Sequence, residues 1–259
     1  MSKIAIVAAL EREVRTLTKG WSRVEREHQG RSFVFLERDE LVLVCGGIGV
    51  EAARRAAEAV IALYKPMLVQ SVGFAGALTE DLHVGDVLVP AVVIDARDGS
   101  RIEIDGGDPR TMVITFMAVA GVDQKTNLAQ AYGAQAVDME ASAVGAAARA
   151  HGIGFAATKV ISDDLQFVMP QIDRFIDARG SFRTASFAFF VALRPWLWAR
   201  VVTLATNSRK AEKALSEHLK GENGKRFHEA PGQSPSQPSE RPIPALTGPR
   251  TVTTTGGQK

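Results

Sequence analysis

Short apolar runs alternate with alanine-rich helical stretches along most of the chain, and this alternation constrains the fold more than any other feature. The first two runs, KIAIVAAL and LVLVCGGIGV, are ended by small residues or glycine, which is typical of strands buried on both faces of a parallel sheet. The predicted strands are KIAIVAAL, LVLVCGGIGV, PMLVQSVGFAG, VGDVLVPAVVI, TMVITFMAVAG and FAATKVISDD. The predicted helices between them are Glu51 to Tyr64 and Met139 to His151. This order predicts an α/β fold with a mostly parallel sheet.

The composition is that of a soluble globular protein with one main core, since 46% of the 259 residues are hydrophobic and 23% are charged. The net charge is +2 and basic residues alternate with acidic ones, so we expect no nucleic-acid partner. Cys45 is the single cysteine and cannot form an internal disulfide, which fits a cytoplasmic protein. The N-terminus lacks the small-residue cleavage region of a secretory signal.

The C-terminal third changes character twice. From about Asp173 the pattern is helical and includes an apolar stretch, Ala185 to Ala205, that is interrupted by Arg194, Pro195 and Arg200. This stretch is too broken for a transmembrane helix. It predicts either a helix on the sheet or at a subunit interface, or a surface that meets a membrane or a lipid-like substrate. From Gly221 the composition predicts a disordered tail, which gives a domain of residues 1–220 and a tail of 221–259.

Two glycine-rich turns follow predicted strands. Gly46, Gly47 and Gly49 lead into a helix whose N-terminus could face an anion or a sugar oxygen, although such turns are as often structural. The stretch from Gly73 to Leu78 lets a ligand approach the backbone closely. The spacing does not match the dinucleotide fingerprint, and no P-loop lysine follows either turn. A hydride-transfer enzyme or a nucleoside triphosphatase is therefore disfavoured.

Three acidic residues stand where an open α/β sheet presents its ligand-binding edge. Glu13 follows the first strand, Glu140 lies in the predicted alanine-rich helix, and Asp163 follows the strand AATKVIS. Each of them alone is more typical of a helix cap or a solvated charge.

Five motifs in order give these acids a common context. They are IAIVAALEREV, CGGIGVEAA, SVGFAGALTEDLHVGDVLVP, AVDMEASAV and KVISDD. Together the motifs resemble those of the nucleoside phosphorylase and nucleosidase superfamily, in particular its 5'-methylthioadenosine/S-adenosylhomocysteine nucleosidase branch. The C-terminal stretch from Gly180 to Leu215 is similar to that of the hopanoid-associated phosphorylases, which are thought to remove adenine from adenosylhopane.

The resemblance implies a three-layer α/β/α fold with a mixed, mostly parallel sheet. It also implies an enzyme that cleaves the N-glycosidic bond of a purine nucleoside. It implies that Asp163 gives a proton to purine N7, that Glu13 orients or activates the attacking water, and that Glu140 binds the ribose hydroxyls with Met139 packed against the sugar. The other substrate-binding residues that it implies are Gly49, Phe74, Ala75, Gly76 and Ser162. No metal or organic cofactor is implied, and a homodimer is expected.

Several positions depart from the family pattern. Phosphorolytic relatives hold phosphate with an Arg and a Ser where this chain has Ser71 and Phe74, so hydrolysis is favoured over phosphorolysis. Lys159 stands where the nucleosidases commonly have Arg, which replaces a planar fork by a point charge. The segment from Asp98 to Met112 is short where the family usually has a helix, so the base pocket is either more open or completed by a second subunit. Phe116 and Val119 are candidates for stacking on the purine, with core packing as the alternative.

The substrate expected first is adenosylhopane in hopanoid biosynthesis, with methylthioadenosine or S-adenosylhomocysteine next. A lipid-linked nucleoside needs an apolar channel, and peripheral contact with the inner membrane would fit it. Aromatic residues that could line the channel, or a dimer interface, are Phe187, Phe189, Phe190, Trp196 and Trp198. The alternative from another class is a nucleoside-binding protein without turnover.

Overall fold

The structure is a computed structural model that describes residues 3–170, 172–177 and 179–228, with side chains described up to Gly221. Its strands are β1 Ile4–Ala8, β2 Ser22–His28, β3 Arg31–Arg38, β4 Leu41–Cys45, β5 Leu68–Ala77, β6 Val87–Leu88, β7 Pro90–Asp95, β8 Arg101–Glu103, β9 Asp108–Thr115, β10 Ala136–Asp138 and β11 Gly154–Asp163. Its α-helices are α1 Val50–Tyr64, α2 Val122–Tyr132, α3 Ala141–Ala150, α4 Thr184–Ala192 and α5 Trp198–His228. Three short 3-10 helices span Glu11–Glu13, Asp173–Phe175 and Pro195–Leu197.

Within the described residues the strands form one mixed, 11-stranded sheet, in the order β2-β3-β4-β1-β5-β10-β9-β7-β8, with β11 paired to β5 and β6. The pairs β1 with β4, β1 with β5 and β5 with β11 are parallel, as are β7 with β9 and β9 with β10. The hairpin of β2 and β3 extends one edge in antiparallel fashion. The predicted mixed α/β sheet is confirmed.

Helices cover both faces of the sheet. On one face, α1 and α3 bury alanine and valine side chains such as Ala56, Val60 and Val144 against β1, β3 and β4. A second core cluster contains Ala211, Leu215 and Leu219 of α5 together with Leu43 and Val160 of the sheet. Gly46, directly after β4, lets α1 pack closely, since a Cβ on Gly46 would lie 2.6 Å from the Cβ of Ala56 in α1. Gly46 is therefore needed for packing.

Several elements differ from the prediction. The strand predicted over Thr111–Gly121 ends at Thr115, and the polar helix α2 and the three-residue strand β10 were not predicted at all. The helical stretch Ala185–Ala205 is broken between α4 and α5, because Pro195 has no backbone N–H to donate and restricts Arg194 to extended conformations. The tail predicted from Gly221 overlaps α5, which extends to His228, and residues 229–259 lie outside the described residues.

No single described helix is long and apolar enough to cross a membrane. Residues 184–192 and 195–221, which are bent by 113° relative to each other, meet the length and composition criteria only as a pair.

Candidate active site

The site lies at a gap along one edge of β5. β1 pairs with the first part of this strand, Leu68 to Ser71, and β10 pairs antiparallel with its end, at Gly76 and Ala77. The carboxyl ends of β1 and β10 therefore run toward the same gap from opposite directions, while β11 ends on the other edge of β5. This topology brings Glu13, Glu140 and Asp163 to the wall of one cavity.

Glu13 ends the 3-10 helix that follows β1, and only 5% of it is exposed. Its Oε2 atom is buried and has no hydrogen-bond partner among the described residues. Burial raises the pKa of Glu13 to about 7, although the charges of Arg12 and Lys159 oppose the shift. Gly73 makes room for the carboxylate, since a Cβ at that position would lie 2.9 Å from Oε2. A carboxylate with one oxygen free and a pKa near neutrality has the properties of a general base.

The sequence predicted that Glu140 lies inside a helix. In the structure it lies at the N-cap position of α3 instead. Its Oε1 accepts a 2.8 Å hydrogen bond from the backbone N–H of Gly49, the N-cap residue of α1. The helix N-terminus that the glycine-rich turn predicted to face an anion thus faces this carboxylate. Burial and the nearby charge of Asp138 raise the pKa of Glu140 to about 8. Its Oε2 accepts a 3.3 Å hydrogen bond from the backbone N–H of Met139, and the residue lines the cavity.

Asp163 ends β11 at an irregularity in the pairing with β5, next to Gly76. Its Oδ1 accepts a 2.6 Å hydrogen bond from the hydroxyl of Ser162, and its Oδ2 lies 2.5 Å from Nζ of Lys125. Both members of this ion pair are buried and line the cavity. Lys125 comes from α2, which the sequence did not reveal.

A second buried ion pair, between Lys159 and Asp138, stabilises the site. Nζ of Lys159 lies 2.7 Å from Oδ2 of Asp138 and 3.0 Å from the hydroxyl of Ser71. The carboxylate of Asp138 also accepts hydrogen bonds from Thr115 and from the backbone N–H of Ala141, at the start of α3. Burial lowers the pKa of Lys159, but the charges of Asp138 and Glu140 outweigh it and hold the pKa above its usual range. Asp138 is therefore fully engaged in structure, whereas Glu140 two residues later is not.

This geometry can be compared with known proteins. The sequence profile of the Phosphorylase superfamily matches residues 3–113 and 111–193. The chain belongs to this superfamily. The family resemblance inferred from the motifs is confirmed.

A 5'-methylthioadenosine/S-adenosylhomocysteine nucleosidase of Staphylococcus aureus strain MRSA252 is 25% identical over 195 residues, which cover 62% of this chain and 86% of that protein. Among solved structures, the corresponding nucleosidase of Neisseria meningitidis in complex with methylthio-immucillin-A superimposes with a TM-score of 0.61 at 18% identity, over 85% of this chain and 100% of that one. The futalosine hydrolase of Helicobacter pylori gives a TM-score of 0.60 at 18% identity, over 85% and 98% of the two chains. At these identities the structures show the shared fold.

The superfamily fold brings together most of the residues predicted for the site. The cavity is lined by Glu13, Phe74, Ala75, Gly76, Met139, Glu140, Ser162 and Asp163. Gly49 contributes its N–H to Glu140. Of the two candidates for purine stacking, Val119 lines the cavity, whereas Phe116 packs against the core cluster around Ile94 and Ile114.

A second cavity adjoins the first on the side of the C-terminal helices. Both are lined by Arg12, Phe74, Leu204 and Ser208, and the second is also lined by Phe187 and Val201. The other aromatic residues predicted for a channel lie elsewhere: Phe189, Trp196 and Trp198 are exposed, and Phe190 packs on Phe175 and under the guanidinium of Arg194. Of the five aromatic residues only Phe187 lines a cavity of the described residues, and the dimer interface given as the alternative stays a prediction.

Sequence reasoning missed Lys125 and Arg12 in the wall of the cavity. Nothing in the polar sequence of α2 marks Lys125 as buried, since its neighbours along the helix are mostly exposed or half-buried polar residues. Arg12 stands between Glu11 and the candidate acid Glu13 in the motif LERE, and its guanidinium lies 5.5 Å from the ring centre of Phe182. Only the tertiary fold places these two cations at the site.

Proposed function

We propose that this protein hydrolyses the N-glycosidic bond of a 5'-modified adenosine and releases adenine. The observation that carries this proposal is the convergence of Glu13, Glu140 and Asp163, from three distant parts of the chain, on one cavity. Breaking the bond between C1' and N9 builds positive charge on the ribose and negative charge on the base, as in other glycoside cleavages. Catalysis then needs a proton for the base and an activated oxygen for the sugar.

The positions of the acids suit these tasks. Glu13, with its free oxygen and its pKa of about 7, takes a proton from the attacking water. Asp163 gives a proton to purine N7 as the base leaves. Glu140, whose Oε1 is fixed by the N–H of Gly49, binds the two ribose hydroxyls, which give its buried carboxyl group further hydrogen-bond partners.

Water is the nucleophile that the residues at positions 71 and 74 favour over phosphate. Ser71 is buried and accepts the hydrogen bond of Lys159, and Phe74 places an apolar ring at the cavity. Neither position carries the cation that would hold a phosphate. With methylthioadenosine as probe, we expect free adenine to appear at the same rate with and without 10 mM phosphate, read by chromatography. Release that requires phosphate would replace hydrolysis by phosphorolysis, and binding without release would favour the alternative of a non-catalytic nucleoside-binding protein.

For the 5' group we propose a long apolar chain, as in adenosylhopane, with methylthioadenosine and S-adenosylhomocysteine as the alternatives that the relatives support. The second cavity, which adjoins the first, supports this choice because Phe187, Val201 and Leu204 form an apolar part of its wall, beside the charged residues Arg12, Arg15, Arg209 and Glu212. In a series of 5'-alkylthio-adenosines, kcat/KM should rise at least about tenfold from methyl to octyl, since two buried CH₂ groups alone supply this at ~0.8 kcal/mol each. Phe187→Ala should reduce the gain. A flat series in the wild type would favour methylthioadenosine or S-adenosylhomocysteine.

Peripheral contact with an anionic membrane is proposed from the surface next to that cavity. Phe189, Trp196 and Val202 are 69%, 71% and 65% exposed. The chain between Asp177 and Glu212 contains arginine and lysine but no acidic residue. Exposed aromatic side chains with flanking cations are typical of helices that lie in a membrane interface. Trp196→Ser should weaken sedimentation with phosphatidylglycerol vesicles, whereas Met67→Ser, which removes an exposed apolar side chain elsewhere, should not. If both variants bound the vesicles equally, the proposed membrane contact of this surface would be refuted.

A homodimer and a cytoplasmic location are proposed on the family resemblance alone. Light scattering would test the first, with a mass twice that of the 27.8 kDa chain expected.

A further inference from the structure

Lys125 is the buried charge of the cavity for which the proposed mechanism has no task. It is 1% exposed, and its ammonium lies 2.5 Å from Oδ2 of Asp163 and 2.7 Å from the backbone oxygen of Asp164. A lysine is rarely buried so completely unless a partner compensates the loss of hydration. Its partner here is the residue to which the leaving-group proton is assigned.

The backbone around this pair is shaped to admit it. A Cβ on Gly76 would lie 2.9 Å from both Oδ2 of Asp163 and Cε of Lys125, and 3.2 Å from Nζ. At position 76 a side chain would push the ammonium of Lys125 away from the carboxylate of Asp163. Ser162 fixes the second oxygen of Asp163 at 2.6 Å. The carboxylate is thus held at both oxygens, in the wall of the cavity.

The two buried lysines of the site differ in where they lie. Lys159 pairs with Asp138, whose remaining hydrogen bonds go to the protein, and it is not among the described residues that line the cavity. Lys125 and Asp163 both line the cavity. Of the first pair Asp138 alone lines the cavity, whereas both members of the second pair line it.

Resting on the proposed function, we propose that Lys125 supplies the proton that Asp163 delivers to the purine. Nζ of Lys125 lies 2.5 Å from Oδ2 of Asp163, so a proton can pass from the ammonium to the carboxylate. In the proposed step Nζ passes a proton to Oδ2 of Asp163, and Asp163 passes a proton to N7. The bond between C1' and N9 breaks and its electron pair stays on the purine, which leaves as neutral adenine.

The remaining protons balance through water. The oxygen of the attacking water bonds to C1', and its proton goes to Glu13. The cycle leaves Lys125 as a neutral amine beside the carboxylate of Asp163, and solvent restores its proton once the products leave, while Glu13 loses its proton to solvent. The other charged groups around the pair are Asp164 next to it and, in the cavity wall, Arg12, Glu13, Asp138 and Glu140.

The proposal predicts a change in the pH profile that a purely structural lysine would not cause. In Lys125→Met, Asp163 has only its own proton to give to the purine, because no ammonium lies beside it to replace that proton. The basic limb of kcat should therefore move to lower pH by at least about one unit, and kcat at pH 8 should fall at least about tenfold. Adenine affinity and the melting temperature, measured beside it, report whether the site is intact. Lys213→Met, at an exposed lysine, is the matched control.

Lys125→Arg separates proton supply from simple ion pairing, because a guanidinium keeps the charge and the donors but does not release a proton near neutral pH. We expect Lys125→Arg to bind adenine as the wild type does, but its kcat should be at least about tenfold lower. Wild-type kcat in Lys125→Arg, or an unmoved basic limb in a folded Lys125→Met, would overturn the proposal. If one of these results were found while Asp163→Asn was inactive, only the role of Lys125 would be overturned and the proposed hydrolysis would stand. An active Asp163→Asn would overturn both the role of Lys125 and the proposed role of Asp163 in hydrolysis.

Discussion

Replacing Asp163 by Asn is expected to lower kcat for adenine release at least about 10²-fold, by the usual scale of general-acid catalysis. The amide can still accept the hydrogen bond of Ser162, which lies 2.6 Å from Oδ1, but it cannot pass a proton to N7. Affinity for the nucleoside should therefore stay within about threefold of wild type, because shape and most contacts are retained. Single-turnover assays with equilibrium binding would measure both quantities.

The neighbouring acid provides the control for this variant. Asp164 is exposed, and its carboxylate accepts the backbone N–H of Val84 at 3.0 Å, an interaction that Asn can keep. Asp164→Asn removes the same charge one residue away and should leave kcat unchanged. Equal losses in both variants would mean that charge in this loop matters and that Asp163 has no specific role as acid.

Replacing Glu13 by Gln is expected to lower kcat by roughly 10²–10⁴-fold, since the amide cannot take the proton of the attacking water. The same variant tests the pH dependence. A base whose pKa is raised to about 7 is ionised only above that pH, so wild-type kcat/KM should fall as the pH drops below about 7. Glu140 titrates near pH 8 but can hydrogen-bond to hydroxyls in both protonation states, so we assign the limb near 7 to Glu13.

In Glu13→Gln the acidic limb near pH 7 should disappear along with most of the activity. Glu11→Gln is the matched control, because Glu11 lies on the same 3-10 helix but its side chain is 60% exposed and pairs with Arg23. If the limb near pH 7 survived in Glu13→Gln, the base would have to be another residue.

The parts of the site predicted from sequence are those that follow from strand ends. The carboxyl ends of parallel strands meet at one edge of a sheet, so Glu13 after β1 and Asp163 at the end of β11 could be assigned to a common site without coordinates. The family motifs added Glu140 to this pair. The structure places all three acids in one cavity. Their catalytic roles stay predictions.

The parts that were missed depend on contacts between distant segments. β10 has three residues, too few to show a period, and its antiparallel pairing with β5 is what opens the gap for the ligand. Lys125 belongs to a helix whose neighbouring residues are polar, so its burial against Asp163 has no local signature. By contrast, the break between α4 and α5 could have been predicted from Pro195, because a residue that precedes proline disfavours helical conformations.

The central claim is that three acids act on one nucleoside, and a crystal structure tests it most directly. The ligand would be an adenosine analogue whose base is joined to the sugar by a carbon–carbon bond, which the enzyme cannot hydrolyse. We expect N7 to lie within hydrogen-bond distance of Asp163, the ribose hydroxyls on Glu140, and a water between Glu13 and C1'. A nucleoside bound elsewhere, or bound here with its N7 turned away from Asp163, would contradict the account.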